Sequence, residues 1–107
     1  MKLVISNDAA AKLREIGDYI SHKLQNPIAA KSTLSKIKCT YSKLRDNPYI
    51  GVPLNTKSDR ETRLRFLVSG NYIIIYDVCD DIVRIVNIFN GKQNEWYLIF
   101  DDNDEEE

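Results

Sequence analysis

The sequence has 107 residues, of which 43% are hydrophobic and 29% are charged, enough for one globular domain with its own core. Its apolar runs, such as Tyr72–Tyr76, are far shorter than the roughly 20 residues of a membrane-spanning helix, and residues 2–6 are too few for a signal-peptide core. A single histidine and two cysteines forty residues apart offer neither a disulfide framework, nor a Cys/His zinc site, nor a Ser-His-Asp triad. We therefore expect a cytoplasmic protein that uses no metal or cofactor and does not bind membranes.

The charge is unevenly distributed along the chain. Six of the sixteen acidic residues lie in residues 101–107, so residues 1–100 carry 15 basic and 10 acidic residues, a net charge of +5. A moderately basic body suits an acidic or polyanionic partner, and a terminal block of like charge is typical of a disordered tail. We therefore expect one domain over residues 1–100 and an acidic disordered tail over residues 101–107.

The N-terminal half is predicted to hold a short strand and two helices. The strand covers residues 2–6, and residues 6–8 then offer helix-capping side chains. The first helix carries one apolar stripe: Ala9, Leu13, Ile16, Ile20 and Leu24. Asn26 can cap a second helix that has Pro27 in its first turn and runs to about Asp46. Its apolar stripe comprises Ala30, Leu34, Ile37, Tyr41 and Leu44, so the two helices form an antiparallel hairpin.

The C-terminal half is predicted to be a meander of three strands. Asn47-Pro48 ends the second helix, and residues 49–61 form one long loop. A strand begins at Thr62 with an alternating pattern and turns at residues 69–71. Residues 72–76 are apolar on both faces, as in a covered central strand, and residues 80–81 turn the chain into a third strand, residues 82–89. Residues 90–94 form a turn or loop, and residues 95–100 a short helix that Asn94 caps.

These elements give an α+β fold with the order β-α-α-β-β-β-α, in which the N-terminal helical hairpin packs on one face of a small antiparallel sheet. The other face of the sheet is expected to remain partly open. Several landmarks occur in a familiar order: Asn26-Pro27-x-Ala29-Ala30, Leu44-x-x-x-Pro48-x-x-Gly51, Arg63-x-Arg65, Gly70-x-Tyr72 and residues 88–94. In this order and spacing the chain resembles the RelE/ParE toxin superfamily over nearly all of residues 1–100.

The resemblance implies the toxin of a type II toxin–antitoxin module. A cognate antitoxin neutralises such a toxin by wrapping it, and the toxin contacts operator DNA only through the antitoxin. RelE-like members cut mRNA in the ribosomal A site, whereas ParE-like members share the scaffold and poison DNA gyrase. Arg63 and Arg65 match the basic pair that binds RNA in the nucleases. Those nucleases carry two further arginines where this chain has Ile73 and Gln93. The closing residues Lys92-Gln93-Asn94 are more similar to the ParE-like motif.

We therefore favour a gyrase poison slightly over a ribosome-dependent endoribonuclease, with an inactive member that only binds antitoxin as a third hypothesis. The predicted site lies on the sheet face opposite the helical hairpin, and the hairpin, residues 9–46, is expected to bury the other face or to dock the antitoxin. If the chain is a nuclease, Arg63, Arg65 and Lys92 would stabilise the scissile phosphate. The target- or antitoxin-binding residues are predicted to be Arg63, Arg65, Lys92, Gln93, Asn94 and Trp96.

Two features of the chain have an alternative explanation. Arg63 and Arg65 could simply be exposed and paired with nearby acids such as Asp59 or Glu61. The acidic tail could fold back onto Arg63, Arg65 and Lys92 instead of remaining disordered.

Overall fold

The N-terminal elements form the predicted strand and helical hairpin. The computed structural model describes residues 1–54 and 64–91. Strand β1 (Lys2–Ile5) leads into helix α1 (Asn7–Asp18), which ends in a π-helical turn at Tyr19–Lys23. Helix α2 (Pro27–Ser42) follows and continues as a 3₁₀ turn at Lys43–Arg45. The second helix was predicted to reach about Asp46. It does reach Arg45, but its last turn is a 3₁₀ turn, which is tighter than an α-helical turn.

The predicted caps of the first two helices are formed. The Ser6 side chain accepts a hydrogen bond from the Ala9 N–H at 3.0 Å and donates one to the Val86 carbonyl at 2.7 Å. Asn26 Oδ1 accepts from the Ala29 N–H at 3.0 Å, and Pro27 occupies the first helical position, where no N–H is needed. Capping side chains therefore set the start of both helices.

The strands of the described residues form one mixed sheet. Strands β2 (Val52–Pro53), β3 (Leu64–Ser69), β4 (Tyr72–Cys79) and β5 (Ile82–Asn90) join β1 in the order β1-β5-β4-β3-β2. The β3-β4-β5 meander and its two turns confirm the prediction, with Gly70 and Asp80 at φ +61° and +56°. Strand β1 pairs with β5 in parallel. Strand β2 was not predicted, because residues 49–61 were assigned to a loop. The predicted start of β3 at Thr62 and the predicted helix 95–100 lie outside the described residues.

The two faces of the sheet carry separate apolar clusters. On the helical face, residues of both helices pack against β4 and β5; the fully buried members include Leu44, Ile74, Tyr76, Ile85 and Ile88. On the opposite face, Leu54, Ile73 and Ile75 are buried, and four partly buried side chains pack against them: Leu64, Phe66, Val86 and Phe89. Strand β4 is therefore covered on both faces, as predicted from its continuous apolar run. The second face is not open at this strand. No helix among the described residues is long and apolar enough to cross a membrane.

Candidate functional site

Arg65 lies on the helical face of the sheet, and the prediction that it lies on the opposite face is wrong. It pairs with Tyr76 in the β3–β4 register, and directly opposite residues of neighbouring strands project to the same face. Tyr76 belongs to the cluster that the helices cover. Leu67, two residues further along β3, packs on the same cluster. Arg63, Lys92, Gln93, Asn94 and Trp96 lie outside the described residues, and their roles stay predictions.

The guanidinium of Arg65 holds the loop that follows α2. Its Nη1 donates to the Gly51 carbonyl at 2.8 Å and to the Tyr49 carbonyl at 3.3 Å. The guanidinium carbon also lies 5.1 Å from the centroid of the Tyr49 ring, within the range of a cation–π contact. Arg65 itself is half-buried. Its positive charge is thus directed toward backbone carbonyls and an aromatic ring, whereas a nuclease role requires it to face a phosphate. The alternative partners Asp59 and Glu61 lie outside the described residues.

Tyr76 holds the same loop through a hydrogen bond from β4. Its side chain is fully buried, and its hydroxyl accepts a hydrogen bond from the Gly51 N–H at 2.9 Å. A Cβ atom on Gly51 would lie 2.5 Å from this hydroxyl oxygen and 2.8 Å from the Phe66 carbonyl oxygen, so the position requires glycine. We call Arg65, Tyr76 and the backbone of residues 49–51 the loop clamp. Both polar groups of the Gly51 backbone are satisfied by this clamp.

Burial keeps the Tyr76 hydroxyl of the loop clamp protonated. Burial raises the pKa of the Tyr76 hydroxyl, and the Gly51 N–H and the Arg65 charge lower it to a smaller extent. A phenol whose pKa is raised above its usual value near 10 is neutral at pH 7 and cannot act as a general base there. The clamp is therefore a structural device that sets the path of the loop.

The structure also shows where Ile73 lies. RelE-like nucleases are expected to carry an arginine at this position. Ile73 is 8% exposed and packs with Leu54 and Ile75 in the cluster on the face opposite the helices. The residue serves the core, so the position does not present a side chain to a substrate.

The sequence did not reveal a groove between the two helices. Its volume is about 480 Å³, its floor is apolar, and two cations stand at its rim; the lining residues are Ile5, Ala10, Leu13, Arg14, Leu34, Lys38 and Tyr41. The helices approach closely at Gly17, where an added Cβ would lie 3.0 Å from Leu34 Cδ1. Small residues at positions 10 and 17 were the available sequence signal.

Comparisons with known proteins identify the class. The chain matches the family described as "ParE toxin of type II toxin-antitoxin system, parDE" over residues 3–95. Among solved structures, it is similar to a chain of the "Chromosomal ParDE TA system from P. aeruginosa" with a TM-score of 0.70 and 21% identity, covering 84% of this chain and 95% of that chain. A search of curated proteins found no match.

A helical hairpin on one face of a small sheet is the fold expected for the RelE/ParE toxin superfamily, and the similar structure confirms that expectation. Within that superfamily, the chain belongs to the ParE toxin family of type II toxin–antitoxin systems.

Proposed function

We propose that this ParE-family toxin arrests growth by poisoning DNA gyrase and that an antitoxin neutralises it by binding the groove between α1 and α2. The observation that carries the choice of target is the engagement of Arg65. Its guanidinium donates to two backbone carbonyls of the loop clamp, so the one described member of the expected RNA-binding pair has a structural role.

The remaining requirements of RNA cleavage favour the same choice. Cleavage by a ribose 2′-hydroxyl needs a base, an acid and positive groups beside the phosphate. Ile73 replaces one expected arginine and is buried, and Gln93 replaces another. His22 lies in the π-helical turn, where its Nδ1 is 3.2 Å from the Asp18 carbonyl oxygen. A toxin that acts by binding a protein target needs none of these groups.

The helix groove has the features of a peptide-binding site. An apolar floor between two helices accepts the apolar face of an amphipathic segment, and cations at the rim attract acidic residues that flank it. Arg14 and Lys38 line this groove, and both are exposed. We expect the antitoxin segment that binds here to be amphipathic and acidic.

The target can be identified by tightly induced expression followed through its first minutes. Incorporation of labelled thymidine is expected to fall before incorporation of labelled amino acid, and purified protein is expected to trap gyrase–DNA cleavage complexes. If translation collapses first and ribosome-bound mRNA is cut, the chain is a ribonuclease and the gyrase proposal is wrong. If growth continues although the protein is folded and soluble, the chain is an inactive member that binds only antitoxin.

The antitoxin site is tested separately by reversing one charge. Lys38→Glu is expected to weaken antitoxin binding at least severalfold, because it places a carboxylate at the rim of the groove. Lys31→Glu makes the same change on the same helix at an exposed position that does not line the groove, and it serves as the matched control. Equal binding by both variants would contradict this docking surface without affecting the choice of target.

A further inference from the structure

Helix α2 is strongly and unevenly charged. Between Pro27 and Arg45 the chain has five cations and no acidic residue: Lys31, Lys36, Lys38, Lys43 and Arg45. All five are exposed. In the described part of the chain, the ion pair that forms is between Arg84 and Asp77 at 3.0 Å, and none of the five α2 cations has a carboxylate partner there. An unbalanced basic helix of this kind attracts an acidic partner.

The cations of α2 lie on two separate sides of the helix. Lys36 and Lys38 are two residues apart, so their side chains project about 200° apart around the axis. Lys38 lines the groove toward α1, whereas Lys36 lines a smaller groove of about 200 Å³ beside Gly70 and Asn71. Lys43 follows Lys36 by two helical turns, about 10 Å along the axis. We call Lys36 and Lys43 the outer basic stripe.

Gly91, the last residue that the structure describes, lies beside this stripe. The Gly91 N–H donates to the Asn71 carbonyl at 2.6 Å, and Asn71 lines the same groove as Lys36. Nine residues, 92–100, then separate Gly91 from the acidic segment 101–107. Nine residues span at most about 30 Å, which exceeds the length of the stripe about threefold. The acidic segment is thus tethered within reach of the outer basic stripe.

We propose that the acidic segment 101–107 docks on the outer basic stripe of α2. Its six carboxylates complement the unbalanced cations of this helix, and a short tether gives an effective concentration in the millimolar range, so weak multivalent attraction suffices. Arg65 is a poorer binding partner for these carboxylates, because its guanidinium already donates to the Gly51 and Tyr49 carbonyls. The segment covers the side of α2 that faces away from the helix groove. This contact goes beyond the proposed function and holds whichever target the toxin has.

A native cysteine provides the probe. Cys39 is exposed and lies three residues after Lys36 and four before Lys43, on the same side of the helix. A nitroxide on Cys39, in the Cys79→Ser protein, is expected to broaden the amide signals of residues 101–107 at low salt. The broadening should disappear at high salt, because exposed charges are screened. A nitroxide on Cys79 in the Cys39→Ser protein is the control, since Cys79 is exposed and ends β4 at the end opposite Tyr72.

Two double variants that remove the same charge test the site itself. Lys36→Gln with Lys43→Gln is expected to abolish the broadening from Cys39, whereas Lys31→Gln with Lys38→Gln is expected to retain most of it. Equal losses in both variants, equal broadening from Cys79, or signals of residues 101–107 that stay sharp at low salt would each overturn the proposal. Broadening of an isotope-labelled chain by a nitroxide on a second, unlabelled chain would also overturn it, since the contact would then join two molecules.

Discussion

Removing one oxygen atom from the loop clamp should destabilise the whole domain. In Tyr76→Phe the ring remains in its fully buried place, but the Gly51 N–H loses the acceptor that lies 2.9 Å away. A buried donor left without a partner costs about 1–3 kcal/mol, more than the net value of the hydrogen bond itself. For a domain of this size, each kcal/mol lowers the melting temperature by about 4–8 °C.

The assays for Tyr76→Phe are urea unfolding and hydrogen exchange at the Gly51 amide. The dependence of the unfolding free energy on urea concentration should stay unchanged. We expect a lower midpoint and faster exchange of this amide, because the hydrogen bond to the phenol no longer protects it. Tyr19→Phe removes the same atom from a side chain that is 55% exposed, and its effect should stay within about 0.5 kcal/mol. If the two variants unfold at the same urea concentration and the Gly51 amide exchanges no faster, the clamp does not contribute as argued.

The same tyrosine predicts a loss of stability at alkaline pH. Burial raises the pKa of Tyr76 above its unfolded value near 10, and burial raises the pKa of Tyr41 and Tyr72 in the same direction. Above pH 10 the folded protein therefore holds protons that the unfolded chain releases, so stability falls as the pH rises through the folded pKa. Tyr76→Phe should show a shallower alkaline decline than the parent protein. Urea midpoints at pH 8 and above pH 10 measure the difference, and parallel curves would contradict it.

Three further substitutions probe the helix cap, the core and the clamp. Ser6→Ala removes the acceptor of the Ala9 N–H and the donor to Val86, and should cost about 0.5–2 kcal/mol in urea unfolding. Ile74→Ala empties a fully buried position under the helices and should cost about 2–5 kcal/mol, whereas Val68→Ala, at a residue 58% exposed, should cost far less; equal costs would contradict the assigned core. Arg65→Lys keeps the charge but loses the fork that holds the loop, and should cost about 1 kcal/mol while growth arrest persists.

The local signals in the sequence predicted the fold well because each depends on a neighbouring residue. Ser6 and Asn26 cap helices through amides three residues later, and Gly70 turns a hairpin between adjacent strands. Strand β2 escaped prediction because two residues are too few to show a period. The break in the β4–β5 register was equally hidden: Ile75 pairs with Asn87 but Tyr76 pairs with Ile85, so β5 has one extra residue, Val86, that no turn residue in the sequence marks.

The loop clamp around Arg65 was harder to predict, because its contacts are long-range and involve the backbone. Both faces of β3 carry apolar residues, so the alternating pattern alone could not decide which face the helices cover. Leu67 shares a face with Arg65 and packs under the helices, and this contact settles the orientation in the structure. The partners of Arg65 are carbonyls 14 and 16 residues earlier, and every residue type has a carbonyl. No sequence pattern marks such an acceptor.

The two binding sites proposed for helix α2 lie on different sides of the helix. Its buried stripe, which includes Ile37 and Tyr41, fixes the helix on the sheet, so residues on either side of that stripe must face different surroundings. Lys38 faces the groove toward α1, and Lys36 faces the β3–β4 turn. The sites proposed for the acidic segment and for the antitoxin therefore lie on opposite edges of one helix. Because the two proposed sites share no lining residue, an occupant of one need not exclude an occupant of the other sterically.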